Sequence, residues 1–337
     1  MNTKTHKLIL SMILGVLLTY IFTGCSNDVS EGKFVAMTTS AGIYYSEDGI
    51  NWTQVENTGG YGLFSVCYGN GKFIVLGHSK AYSTDGNKWI PITLASGGWE
   101  NLCYGNGKFV AIDNNGGNSK VAYSEDGITW SVENFPNGSW ASICYGNGKF
   151  VAIGNDISSN SIAVYSTNGS TWSVPYDLPD DEQWSSVCYG KGRFVAVAIN
   201  YGYTAYSTDG KTWTKTTELL PNSIINLNSV CYGNGKFVAV NYTGYGENNK
   251  NVYSTDGITW KLTNLKGDQW NSVCYGNGKF VAVGLLDSKY NIAYSTDGIT
   301  WNYASFTIPS TLPGIPDPLV GLQNITYGLD SDIFGFL

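Results

Sequence analysis

Apolar and polar residues alternate with a period of two along most of the chain, in short runs separated by Gly-rich turns; the fullest stretch, Trp270 to Tyr303, reads WNSVCYGNGKFVAVGLLDSKYNIAYSTDGITWNY. A period of two marks strands with one face buried, and no helical period of useful length follows the first 24 residues. Four strands are predicted in this stretch, at residues 271–276, 279–284, 291–295 and 300–303. Asn277-Gly278 joins the first pair, and Asn-Gly is the favoured pair for a type I′ hairpin because both central residues need positive φ. Asp297-Gly298 joins the last pair: Asp bonds to nearby backbone N–H groups while Gly takes the left-handed conformation.

From Gly32 onward this unit is written seven times, at a period of about 40 residues, as expected for propeller blades. Ser46, Ser83, Ser124, Ser166, Ser207, Ser254 and Ser295 are each followed six residues later by Trp52, Trp89, Trp130, Trp172, Trp213, Trp260 and Trp301. The fold class is therefore all-β: a seven-bladed β-propeller of four-stranded antiparallel blades. The first unit begins at its second strand, and residues 323–328 near the C-terminus match the missing innermost one. The C-terminal strand is predicted to close the first blade and remove exposed edges. Residues 330–337 look like a degenerate second strand with no place in that scheme.

The recurring Ser-x-Asp-Gly-x-Thr-Trp resembles the Asp-box (BNR) repeat of sialidase-like propellers, sortilin-type receptors and photosystem assembly-factor propellers. It lacks the family's spacer between Asp and Gly, and its fourth copy carries Asn168 in place of Asp. The resemblance implies a propeller in which the box is a folding device away from the ligand face. The seven box tryptophans are accordingly expected to pack between blades.

At the N-terminus Lys4 and Lys7 precede an apolar run from Leu8 to Phe22, which ends in Thr23-Gly24-Cys25. The run is shorter than the roughly 20 residues needed to cross a bilayer and reads as a signal peptide. It resembles a bacterial lipoprotein signal, which implies export, cleavage before Cys25, lipidation of that residue and a lipid anchor as the only membrane contact. Residues 1–24 are then signal, 25–31 a tether, and 32–337 the propeller. Loss of Lys4, His6 and Lys7 takes the formal charge from -7 to -9 and leaves His78 as the only histidine. Arg193 is the sole arginine and the lysines are scattered, so no basic groove exists to follow a nucleic acid.

Cys67, Cys103, Cys144, Cys188, Cys231 and Cys274 occupy one repeat position, with Thr326 at the seventh. An even count in an exported chain suggests disulfides. Equivalent positions on adjacent blades, however, are expected to lie beyond the ~7 Å Cα limit for bridging, so free buried thiols are preferred to disulfides or a metal ring. Four residues before each of these positions stand Leu63, Trp99, Trp140, Trp184, Leu227, Trp270 and Leu322. Two readings stay open for them, a hydrophobic collar sealing the blade tops and an aromatic platform for a ligand.

The two uniform turns of every blade fall on one face, and the connections that differ between copies fall on the other, as expected of a surface shaped by a partner. That face would carry Tyr201, Tyr203, Tyr245, Tyr290 and the collar tryptophans, with acids such as Asp180 and Asp181. Aromatic rings beside amides and carboxylates suit a glycan or a protein surface. The chain is therefore expected to act as a monomeric binding or scaffolding protein with no cofactor, no metal and no catalytic residue. The alternative is a glycoside hydrolase using a pair of loop carboxylates, for which Asp180, Asp181, Asp268 and Asp287 are the candidates. Sialidase chemistry is not expected: the sialidases that the repeat resembles clamp the substrate carboxylate with three arginines, a bidentate geometry lysine does not reproduce, and Arg193 is the sole arginine.

Overall fold

The computed structural model describes residues 32–38, 42–55, 62–179, 182–199, 202–216, 226–242, 250–267, 269–286, 289–304 and 322–328. Cys25 and the signal and tether, Tyr201, Tyr245, Asp180, Asp181, Asp268, Asp287 and residues 330–337 lie outside them. Seven four-stranded antiparallel sheets form the blades, each running in chain order from an innermost to an outermost strand. Blade 1 is the exception that closes the ring. Its innermost strand is the C-terminal strand Leu322–Gly328, paired with Lys33–Thr38 so that Gly328 faces Lys33 and Thr326 faces Val35. The innermost strands neighbour one another in cyclic order, with Leu322–Gly328 beside the first strand of blade 2, Leu63–Gly69.

The core lies between blades. Second strands such as Arg193–Ala198 are covered on both sides and read as continuous apolar runs. Val151 and Ile153 of blade 4 pack with Trp184, Val187, Phe194 and Ala196 of blade 5, and the same arrangement recurs around the disc. All seven box tryptophans belong to these inter-blade clusters.

The turns hold their predicted chemistry. The first hairpin places Asn70, Asn106, Asn147, Asn234 and Asn277 at φ between 43° and 49°, each followed by a positive-φ glycine. Lys191 takes the same conformation, φ 48°, in blade 5. In the third box the Ser124 hydroxyl donates to Asp126 Oδ1 (2.9 Å) and accepts from the Gly127 N–H (2.8 Å). Asp126 Oδ1 also accepts from the N–H of Ile128 (2.8 Å) and Thr129 (2.7 Å). Asn168 makes the same pair of bonds to Ser170 and Thr171, so an amide oxygen suffices for the turn. The box also shortens the outermost strand. In blade 7 that strand is Asn302–Tyr303, because Asp297 Oδ1 takes the Thr300 N–H at 2.7 Å before it can join the sheet.

Turns are stitched to the next blade by side chains. Asn70 Nδ2 donates to Glu125 O (3.0 Å) and Asn234 Nδ2 to Thr296 O (3.0 Å), while Asn277 Nδ2 reaches Glu47 O (3.3 Å) across the closure.

Candidate binding face

The face opposite the uniform turns is built around a feature absent from the predicted pattern. Every innermost strand carries a β-bulge near its start: the register shifts between Leu63 and Ser65, Trp99 and Asn101, Trp140 and Ser142, Trp184 and Ser186, Leu227 and Ser229, and Trp270 and Ser272. In blade 1 the shift leaves Gln323 unpaired. The bulged residues are thus Phe64, Glu100, Ala141, Ser185, Asn228, Asn271 and Gln323, a half-buried ring at the channel mouth. An extra residue in one strand re-aims side chains and reverses the alternation before it.

That reversal decides the collar. Trp99, Trp140, Trp184 and Trp270 are only 1–2% exposed and belong to the inter-blade cores. The indole N–H groups of Trp99 and Trp140 donate to Ala95 O and Pro136 O at 2.9 Å, which ties each ring to the preceding link. The aromatic-platform reading of these four is therefore corrected to a sealing collar. The bulge puts them on the same side of the strand as Leu102, Ile143, Val187 and Val273, and away from the channel. Tyr203 is half-buried and covered, with Lys215 Nζ 3.2 Å from its ring centroid. Tyr290 lies on the third strand of blade 7, Lys289–Ser295, opposite Leu285.

Phe64 and Ala141 apart, the mouth presents polar side chains, several of them bonded to the next blade. Asn271 Nδ2 donates to Leu322 O (2.7 Å), Asn228 Nδ2 to Asn271 O (2.7 Å), and Asn101 Nδ2 to Trp140 O (2.9 Å). One residue on, the hydroxyls of Ser142, Ser186 and Ser229 accept the N–H of Val187, Val230 and Val273, all at 3.2 Å. At the junction of blades 3 and 4, Asn114 Nδ2 donates to Glu100 Oε2 (2.8 Å), while its Oδ1 accepts from Ser139 Oγ and Trp140 N (both 3.1 Å). Buried Asp113 is spent on structure: its Oδ1 accepts the Gly98 N–H at 2.7 Å. Asn241, at the mouth of blade 6, is fully buried with both amide atoms lacking a protein partner. Sequence reasoning passed over the bulged position. The signal was present, since it varies among Phe, Glu, Ala, Ser, Asn and Gln while its neighbours repeat.

The six repeat cysteines are free thiols. Desolvation by the surrounding protein pushes the Cys67 thiol up to about 12 and raises those of Cys103, Cys144, Cys188 and Cys274 strongly, with neighbouring thiols adding to the effect in these four. They are protonated and unreactive at neutral pH. Among the described residues no group of three or more His, Cys, Asp or Glu converges as metal ligands would. Arg193 lies over the Tyr206 ring (5.3 Å to the centroid), and exposed His78 packs edge-on against Phe64 at 5.4 Å. Among the described residues neither is paired with an acid in a catalytic arrangement.

No family model matches the sequence, and no curated protein matches it. Solved structures do resemble it in shape. Virginiamycin B lyase from Staphylococcus aureus superposes with a TM-score of 0.57 at 11% identity, covering 76% of this chain and 92% of that one. YCF48 bound to D1 peptide gives 0.56 at 15%, covering 90% and 96%. The Cps50 (Swd1) β-propeller domain of Myceliophteria thermophila gives 0.51 at 11%, covering 70% and 82%. These likenesses show the propeller fold.

Proposed function

We propose that this chain is an exported, lipid-anchored binding protein that holds an extended segment of another protein against its variable face, without catalysing a reaction on it. The observation that carries the reading is the bulged ring. Glu100, Ser185, Asn228, Asn271 and Gln323 line one channel mouth with polar side chains, held in place where Asn228 Nδ2, Asn271 Nδ2 and Ser185 Oγ bond to the next blade, and polar groups of this kind pair with a peptide backbone, while the collar indoles that would stack on sugar rings are buried. The opposite face repeats the same hydrogen-bonded turns blade after blade, as a scaffold does. YCF48, which has this shape, is bound to a peptide in its solved structure. A glycan remains the second ligand class for the same face. The four carboxylates of the glycosidase reading, Asp180, Asp181, Asp268 and Asp287, lie outside the described residues.

The test is site-specific photocrosslinking in intact cells, with the probe at Asn271 or Gln323 on the mouth, or at Thr167 or Thr296 on the turn face. Discrete protein adducts from the first pair alone are expected; equal or stronger adducts from the turn face would refute the assignment. Replacement of Cys25 by Ala should move the protein from the membrane to the soluble fraction.

A further inference from the structure

The seven box tryptophans fall into two settings. Trp52, Trp213, Trp260 and Trp301 are 5–9% exposed, and their indole nitrogens have no protein partner. Trp89, Trp130 and Trp172 are half-buried, and each turns its N–H back on its own turn, donating to Gly86, Gly127 and Gly169 O at 3.2–3.3 Å. Two of these three line clefts on the outer rim, at equivalent places in the blade 1–2 and blade 3–4 junctions. The first cleft, about 480 Å³, has Tyr45 of one blade and Trp89 of the next as walls. The second, about 300 Å³, has Tyr123 and Trp172. Both volumes fall in the range of about 300–1,000 Å³ usual for small-molecule sites.

The aromatic walls are held in place before any ligand arrives. Lys33 Nζ sits 5.4 Å from the Tyr45 ring centroid while donating to Asp85 O across the junction, and Lys108 Nζ sits 5.6 Å from that of Tyr123. Between the walls the clefts offer Gln54 and Asn87 in one case, Asn134 and Thr171 in the other. At the blade 4–5 junction the corresponding tyrosine, Tyr165, is instead covered by the chain itself, with Lys211 Nζ 4.8 Å and the Tyr176 ring 6.0 Å from its ring centroid. A cleft lined by two aromatic residues together with amide and hydroxyl groups forms a site for a ring that is apolar on its faces and hydroxylated at its edge. We propose that the rim clefts at Tyr45–Trp89 and Tyr123–Trp172 each bind one pyranose ring, so that the side of the disc holds a saccharide polymer through repeated weak contacts. This site is separate from the variable face and does not depend on what that face binds.

The experiment is affinity electrophoresis of the full chain through gels containing, in turn, soluble β-glucan, xylan, galactan, mannan or chitosan, with free monosaccharides as competitors. Retardation by at least one polymer is expected, with about 10²-fold weaker competition by its monomer, since linked sites gain by effective concentration. Substituting the exposed turn residues Asn87→Trp and Thr171→Trp together should fill both clefts and cut retention at least about tenfold. Gln54→Trp with Asn134→Trp blocks the clefts from the other side and serves if the first pair fails to fold. Thr296→Ala, on the turn face, should leave retention unchanged. Absence of retardation by all five polymers, or retention that survives blocking in a folded variant, would overturn the assignment.

Discussion

The Tyr68 ring lies against Gly328 so closely that a Cβ on the glycine would stand 2.1 Å from its Cδ2. The same contact links Tyr104 to Gly69, Tyr145 to Gly105, Tyr189 to Gly146, Tyr232 to Gly190, Tyr275 to Gly233 and Tyr327 to Gly276, and so runs without a break around the disc. Each glycine ends an innermost strand, and the tyrosine of the next blade occupies the space a side chain would take. Closure between the chain's last described strand and its second blade therefore uses the same packing unit as every other junction.

Gly328→Ala should consequently destabilise the ring although no positive φ is involved. Forcing a methyl group into a filled contact costs about 1–3 kcal/mol, or more where backbone must shift. Thermal unfolding should show a clear fall in Tm. Gly117→Ala, where an added Cβ meets nothing within 4 Å, provides the control and should change Tm little.

The box carboxylates make stability fall in acid. Partial burial opposes ionisation of Asp126, but the N–H groups of Thr129 and Ile128 and the Ser124 hydroxyl outweigh it and hold the group down to about 2, against an ordinary 3.8. Asp48, Asp85, Asp209, Asp256 and Asp297 shift in the same direction. A depressed folded value means that the stabilisation is complete above the unfolded value near 3.8 and is lost as pH falls toward 2. Urea midpoints should hold steady down to about pH 4 and then drop, and Asp126→Asn, which keeps the acceptor but not the charge, should flatten part of that drop while lowering the midpoint at neutral pH.

The thiols act at the other end of the scale. With Cys67 raised from 9.0 to about 12 and its repeats raised likewise, the unfolded chain ionises first as pH climbs, so stability should decline from pH 9 upward. Native protein should react negligibly at these six cysteines with a thiol reagent at pH 8, and all six should react in denaturant. Rapid native modification at any of the six would contradict this packing.

Lys191 is a non-glycine residue in the left-handed region where five other blades place Asn, which tolerates that conformation better. Its Nζ donates to Thr255 O at 3.0 Å, the bond that Asn234 Nδ2 makes to Thr296 O one blade later. Lys191→Asn should keep the stitch, relieve the backbone, and raise stability by about 0.5 kcal/mol, seen as a rise of about 1–2 °C in Tm.

Repetition made the fold legible. Period-two patterning, Asn-Gly and Asp-Gly turns and a missing first strand matched at the far end are local properties, and seven copies fix the blade count and the closure by the C-terminal strand. The box turn was equally readable, since its bonds lie within six residues. The face was not, because one bulged residue per innermost strand inverts the side on which Trp99, Trp140, Trp184 and Trp270 emerge, and a bulge is a matter of pairing between strands that no single strand's alternation records. Likewise the division of the box tryptophans into buried and rim-facing sets depends on the neighbouring blade, which the repeated motif is too uniform to express. Sequence determined which strands form and in what order they pair; the packing of one blade on the next decided which side chains reach solvent.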